Sequence, residues 1–145
     1  KHNNIREYLS IENLNWRYFE HPLNNYAIFA ALSEDAKLVN GYIVLKLYHS
    51  NIGLKGHIME IVTFDNFSDM DLLFESAIGY FNWANCKSIS LWISKNDYKY
   101  NYFKKIGFKE NSIQSYLQVL PLKDVNNKIL NIDNWDLSMK MSDAY

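Results

Sequence analysis

A single cysteine, two prolines and five glycines in 145 residues leave several chemistries without raw material. Cys86 has no second cysteine to join, so no internal disulfide can staple the fold. Beside Asn85 it reads as a small buried side chain rather than a nucleophile. The four histidines are scattered, without metal-ligand spacing. No apolar run approaches the ~20 residues that cross a bilayer. A net charge of −1 lacks the basic excess that draws a chain to nucleic acid or anionic lipid. The start, Lys1-His2-Asn3-Asn4, has neither an initiating Met nor the apolar core of a signal peptide. The expectation is a cytoplasmic chain, processed or cut from something longer, with no nucleic acid or membrane among its partners. The few glycines also limit any mechanism that needs a glycine-rich phosphate loop.

What is present is apolar and aromatic. Hydrophobic residues make up 48% and aromatics 16%, enough for a real core at one domain's length. Residues 5–20 read as helix, with Ile5, Tyr8, Leu9, Leu14, Trp16, Tyr18 and Phe19 as its apolar positions and Pro22 closing it. Residues 25–33 alternate as a strand, and the run from Gly41 to Tyr48 reads as a central one. A loop over 51–56 leads to a third strand over 57–64. A helix follows, with Ser68 as N-cap and a buried stripe of Met70, Leu73, Phe74, Ala77, Phe81 and Ala84. Ser88–Ser94 alternates as a fourth strand, and Asn96 or Asp97 opens a short helix that Gly107 ends. Residues 108–120 read as extended, 121–131 as a loop and 135–141 as a last strand. Short links between the first three strands predict an antiparallel meander, and the helix after them a crossover.

The run from Asn96 to Phe108 contains Asn, six residues, an aromatic, three residues and Gly-Phe. It resembles a motif of the GCN5-related N-acetyltransferases, and the element order over residues 25–141 is similar to theirs. The resemblance implies an α/β (α+β) fold with a mixed, mostly antiparallel sheet flanked by helices. One domain would span 1–145, with 1–22 as a helical brace and 25–145 as the sheet core. Leu14-Asn15-Trp16-Arg17-Tyr18 with Pro22 and Tyr26, and Asn134-Trp135-Asp136-Leu137-Ser138 with Ser142-Asp143-Ala144-Tyr145, resemble the second half of bacterial acetyltransferase-like proteins with two such folds in tandem. An upstream domain of the same kind, or a protein partner, is therefore implied.

The family binds the pyrophosphate of acetyl-CoA on backbone N–H groups at the start of the helix after its fourth strand, where glycines admit the phosphates. The matching stretch here, Thr63 to Asp71, has no glycine, no basic residue and three carboxylates. Many members use a Tyr four residues before the Gly-Phe as general acid; that position is Phe103. Tyr102 is the neighbouring hydroxyl, ~100° around the helix. Glu60 reads as the candidate general base, on a strand face with Ile58 and Val62 and with His57 on the opposite face. The resemblance thus implies Glu60 and Tyr102 for catalysis and Asn96 for cofactor contact. The Lys- and Tyr-rich stretch from Tyr98 to Lys109 reads as an amphipathic surface helix. The balance of residues predicts a degenerate domain without acetyl-CoA turnover of its own. The alternative is an active enzyme moving an acetyl group from acetyl-CoA to a small-molecule or sugar amine.

Overall fold

The computed structural model describes residues 10–64, 67–111 and 127–141. They fall into two compact units, one of residues 10–92 with 138–141 and one of residues 93–111 with 127–137. Among the described residues no helix is long and apolar enough to cross a membrane.

The larger unit is built on four strands in the order β1-β2-β3-β4. They span Tyr26–Leu32, Val39–Ser50, Gly53–Thr63 and Ser88–Leu91. The first three pair antiparallel and β4 runs parallel to β3. The crossover between β3 and β4 is the helix Phe67–Trp83, here called α2. Of its expected stripe, Met70, Leu73, Ala77 and Phe81 are fully buried, and Phe74 and Ala84 are half-buried. The helix starts one residue ahead of Ser68, so this serine lies in its first turn rather than at its cap. Part of the other sheet face packs against α1, Ile11–Tyr18, through Leu14 and Tyr18. Ser10 caps α1 by accepting from the Asn13 N–H at 3.1 Å. Leu14 and Tyr18, four residues apart, then point inward.

Several expectations need correction. The loop over 51–56 is a two-residue turn, because Ser50 pairs with Gly53 and β3 starts there. Gly53 takes φ +117°, a left-handed turn conformation open to glycine. Gly56 belongs to β3, where it pairs with Leu47, and a Cβ there would come within 2.6 Å of the Phe81 ring on α2. Strand β4 stops at Leu91 rather than Ser94, where its pairing with β3 ends at Ile58. The strand expected over 135–141 is absent: Ile132–Asn134 and Met139–Met141 are single 3-10 turns. A strand would turn Met139 and Lys140 to opposite faces, and the turn buries both. Of the expected sheet core, the described residues beyond Leu91 add no strand to this sheet. The helix start at Ile5, Tyr8 and Leu9 and the extended segment beyond Asn111 lie outside the described residues.

The smaller unit carries the Asn96–Phe108 motif. Its helix α3 spans Tyr100–Lys105. Gly107, at φ +105°, follows the last helical residues. The Phe108 N–H donates to the Phe103 carbonyl at 3.0 Å and the Gly107 N–H to that of Lys104 at 3.2 Å. The Phe103 and Phe108 rings meet edge-on at 5.3 Å. This is the Schellman ending with its apolar clasp. The spacing aromatic, three residues, Gly-Phe is thus the requirement of a helix stop.

Candidate functional site

A β-bulge in β3 builds the site. Val44 of β2 pairs with Glu60 and Leu45 with Ile58, so Met59 is the extra residue. The bulge shifts the side-chain alternation by one, and this overturns two expectations. Ile58 pairs with Leu45 on the α2 face, so Glu60 does not share its face. His57 pairs with Lys46, two residues beyond Val44, and so lies on the Glu60 face rather than opposite it.

On that face Tyr18, Val44, Met59 and Met139 form a buried cluster, joined by Leu14, Tyr26, Ile28, Tyr42 and Trp92. Glu60 lies against it, 7% exposed. Tyr18 donates its hydroxyl to Oε2 at 3.0 Å. The Lys140 ammonium, also 7% exposed, pairs with Oε1. Arg17 on α1 donates to the Lys140 carbonyl, fixing the turn that carries the lysine. Burial and then the Glu60 carboxylate push the Tyr18 phenol far above its ordinary pKa, so it stays a hydrogen-bond donor at any ordinary pH. Both oxygens of Glu60 are therefore engaged. To deprotonate an acceptor amine at Oε1, the carboxylate would first have to release the chain's own amine.

The other candidates lie in the smaller unit. Asn96 is exposed, with its N–H on the Ser94 hydroxyl at 3.3 Å. Phe103, in the general-acid position, is buried. Tyr102 is half-buried, its ring edge-on to Phe103 at 5.3 Å. Asp97, rather than Asn96, organises the entry to α3: it accepts from the Lys99 N–H at 2.8 Å and pairs with the Lys99 ammonium at 3.0 Å. Cys86, in the larger unit, is half-buried, and burial raises its thiol pKa, away from a reactive thiolate.

The stretch matched to pyrophosphate binding runs from the end of β3 into α2; Asp65 and Asn66 lie outside the described residues. Phe64 is 64% exposed, and its N–H is already bonded to the Asn40 carbonyl at 3.0 Å. Asp69 stands in the first turn of α2, and Asp71 follows, exposed. A carboxylate there competes with an incoming phosphate for the positive end of the helix. Like charges at ~4 Å repel by about 4 kcal/mol near a protein surface. These residues do not fit a diphosphate. Among the described residues there is also no group of three or more His, Cys, Asp or Glu able to hold a metal ion.

Sequence reasoning missed Tyr18 and Lys140 as partners of Glu60. The available signal was Glu60 itself, since a carboxylate in an apolar strand requires a buried donor or cation. Nothing in the sequence chooses among fifteen Lys and Arg residues.

No protein-family model and no curated protein matches the sequence. Solved structures do match. Glucosamine-6-phosphate N-acetyltransferase from Arabidopsis thaliana aligns at TM-score 0.59 and 18% identity, over 79% of this chain and 82% of that one. An aminoglycoside acetyltransferase from an uncultured soil metagenomic sample, solved with trehalose, aligns at 0.59 and 14%, over 79% and 77%. An aminoglycoside N-acetyltransferase solved with CoA aligns at 0.55 and 14%, over 66% and 77%. The chain has the fold of the N-acetyltransferases.

Proposed function

We propose that this chain is an N-acetyltransferase-fold domain that does not turn over acetyl-CoA by itself. It serves as the second half of a larger acetyltransferase-like protein, shaping a substrate cleft or an interface. The observation that carries this reading is the closure of Glu60 by Lys140 and Tyr18. Two further features support it: the carboxylate-bearing, glycine-free entry to α2, and Phe103 in place of a hydroxyl donor. A base with both oxygens engaged by the chain's own donors, no phosphate cradle and no acid for the leaving thiolate lacks the parts of a transfer mechanism.

The competing reading is direct acetyl transfer to an amine, the chemistry named for the structural neighbours that act on glucosamine-6-phosphate and aminoglycosides. Titration of acetyl-CoA into the purified chain, followed by thermal unfolding and calorimetry, separates the two. A bound ligand at ~100 times its dissociation constant stabilises by about 2.7 kcal/mol, or roughly 5–10 °C in a domain of this size. The expected result is no shift and no heat at millimolar acetyl-CoA. A saturable shift of that size would overturn the proposal.

A further inference from the structure

The Glu60 face of the sheet has a second half of different character. Tyr26, Lys46, His57 and Ser90 lie side by side across β1 to β4. One row further along, Tyr48, Lys55 and Ser88 do the same. Paired residues share a face, as do residues two apart, so all seven side chains stand on one surface. Each carries a hydrogen-bond donor, and no carboxylate occupies either row. Among the described residues neither Lys46 nor Lys55 makes an ion pair, and Glu60, the nearest acid on this face, is taken by Lys140.

His57 is buried at the centre, its Nδ1 2.8 Å from the Ser90 hydroxyl and its ring edge-on to Tyr48 at 5.5 Å. Lys46 is half-buried, its ammonium 6.0 Å from the Tyr26 ring centre. The rim is open, because Tyr48 is 45% exposed and Ser88 is exposed. Burial, then the charges of Lys46 and Lys55, lower the His57 pKa, so both ammonium groups reach it electrostatically.

We propose that this cationic half of the sheet face is a binding site for a phosphate-class dianion, held by Lys46 and Lys55 with Ser90 and His57 completing the donor set. The chain has no excess of positive charge overall, so two lysines without an ion pair among the described residues, beside a buried imidazole, are a local arrangement. A tetrahedral oxyanion supplies several acceptors to donors that share one surface and adds negative charge beside two lysines. Inorganic phosphate and the phosphate of a small phosphorylated metabolite share this chemistry. The site is separate from the α2 N-terminus and does not depend on whether acetyl-CoA binds.

The test is an NMR titration of the histidine C–H resonances against pH, in 20–50 mM phosphate (roughly a saturating range for a small dianion) and in chloride of equal ionic strength. His21 and His49 are internal controls. Phosphate should raise the His57 midpoint by about one unit, because a nearby opposite charge favours the protonated ring, and leave the controls in place. Lys46→Gln or Lys55→Gln should weaken the response about tenfold, as expected when a charged hydrogen bond is lost. Glycerol 3-phosphate as a second probe identifies the source: tighter binding than phosphate points to a phosphorylated metabolite, equal binding to the free ion. An unchanged His57 midpoint in phosphate, or an equal response in Lys55→Gln, would overturn the proposal. The wild-type titration decides by itself if a variant fails to fold.

Discussion

Replacing Lys140 with Met removes one ammonium and keeps most of the side-chain volume. Both partners of the Lys140–Glu60 pair are only 7% exposed, so water cannot replace the lost cation. Among the described residues, Glu60 would be left with the Tyr18 hydroxyl at 3.0 Å. Breaking such a pair from one side costs about 3–5 kcal/mol, because an uncompensated charge stays buried. Total stability of a domain is only ~5–15 kcal/mol. With a urea slope of ~2 kcal/mol/M, the unfolding midpoint of Lys140→Met should fall by roughly 2 M. The double variant Glu60→Gln with Lys140→Met keeps an acceptor for Tyr18 and removes both charges, so it should recover most of the loss. Tryptophan fluorescence during urea unfolding measures the wild type, Lys140→Met, Glu60→Gln and the double variant. A loss under ~1 kcal/mol for Lys140→Met would refute the reasoning, as would a double variant as unstable as the two single changes added together.

Three further outcomes follow from the same structure. His57 has a lowered pKa in the fold, so the unfolded chain takes up the proton first as pH falls. Its contribution is full above about pH 6.5 and is lost below it, at up to ~1.4 kcal/mol per pH unit; urea midpoints at pH 7.5 and 5.5 should differ less in His57→Gln than in the wild type. Gly56→Ala should cost about 1–3 kcal/mol, since its Cβ would lie 2.6 Å from Phe81, and adding Phe81→Leu should return part of that; additive losses would contradict the contact. Gly107→Ala should lose about 1 kcal/mol at φ +105°, whereas Gly79→Ala, in α2 with nothing within 4 Å of a new Cβ, should gain about as much; thermal midpoints moving in the same direction would count against the Schellman ending.

The local code of this chain was legible in its sequence. The α2 stripe, the β1–β2–β3 meander and the stop at Gly107 each follow from periodicity or from one residue's backbone freedom. The chemistry missing from the entry to α2 was legible for the same reason, because glycine and lysine are either present in a stretch or not. Alternating apolar residues over 135–141 misled, since Trp135, Leu137, Met139 and Met141 repeat as a strand would. Their turn is imposed by the need to bury Met139 and Lys140 together. The face of Glu60 was not readable either. One inserted residue, Met59, reverses the alternation, and a bulge carries no compositional mark.

The sequence by itself therefore determined most of the elements and their order, and the absence of glycine and of basic residues between Thr63 and Asp71, all properties of short windows. Only the tertiary structure decided that Glu60 meets Tyr18 and Lys140, forty-two and eighty residues away, and that Lys46, Lys55 and His57 share one surface. Those pairings arise from strand register and long-range packing, where the cost of a buried charge selects one partner among many.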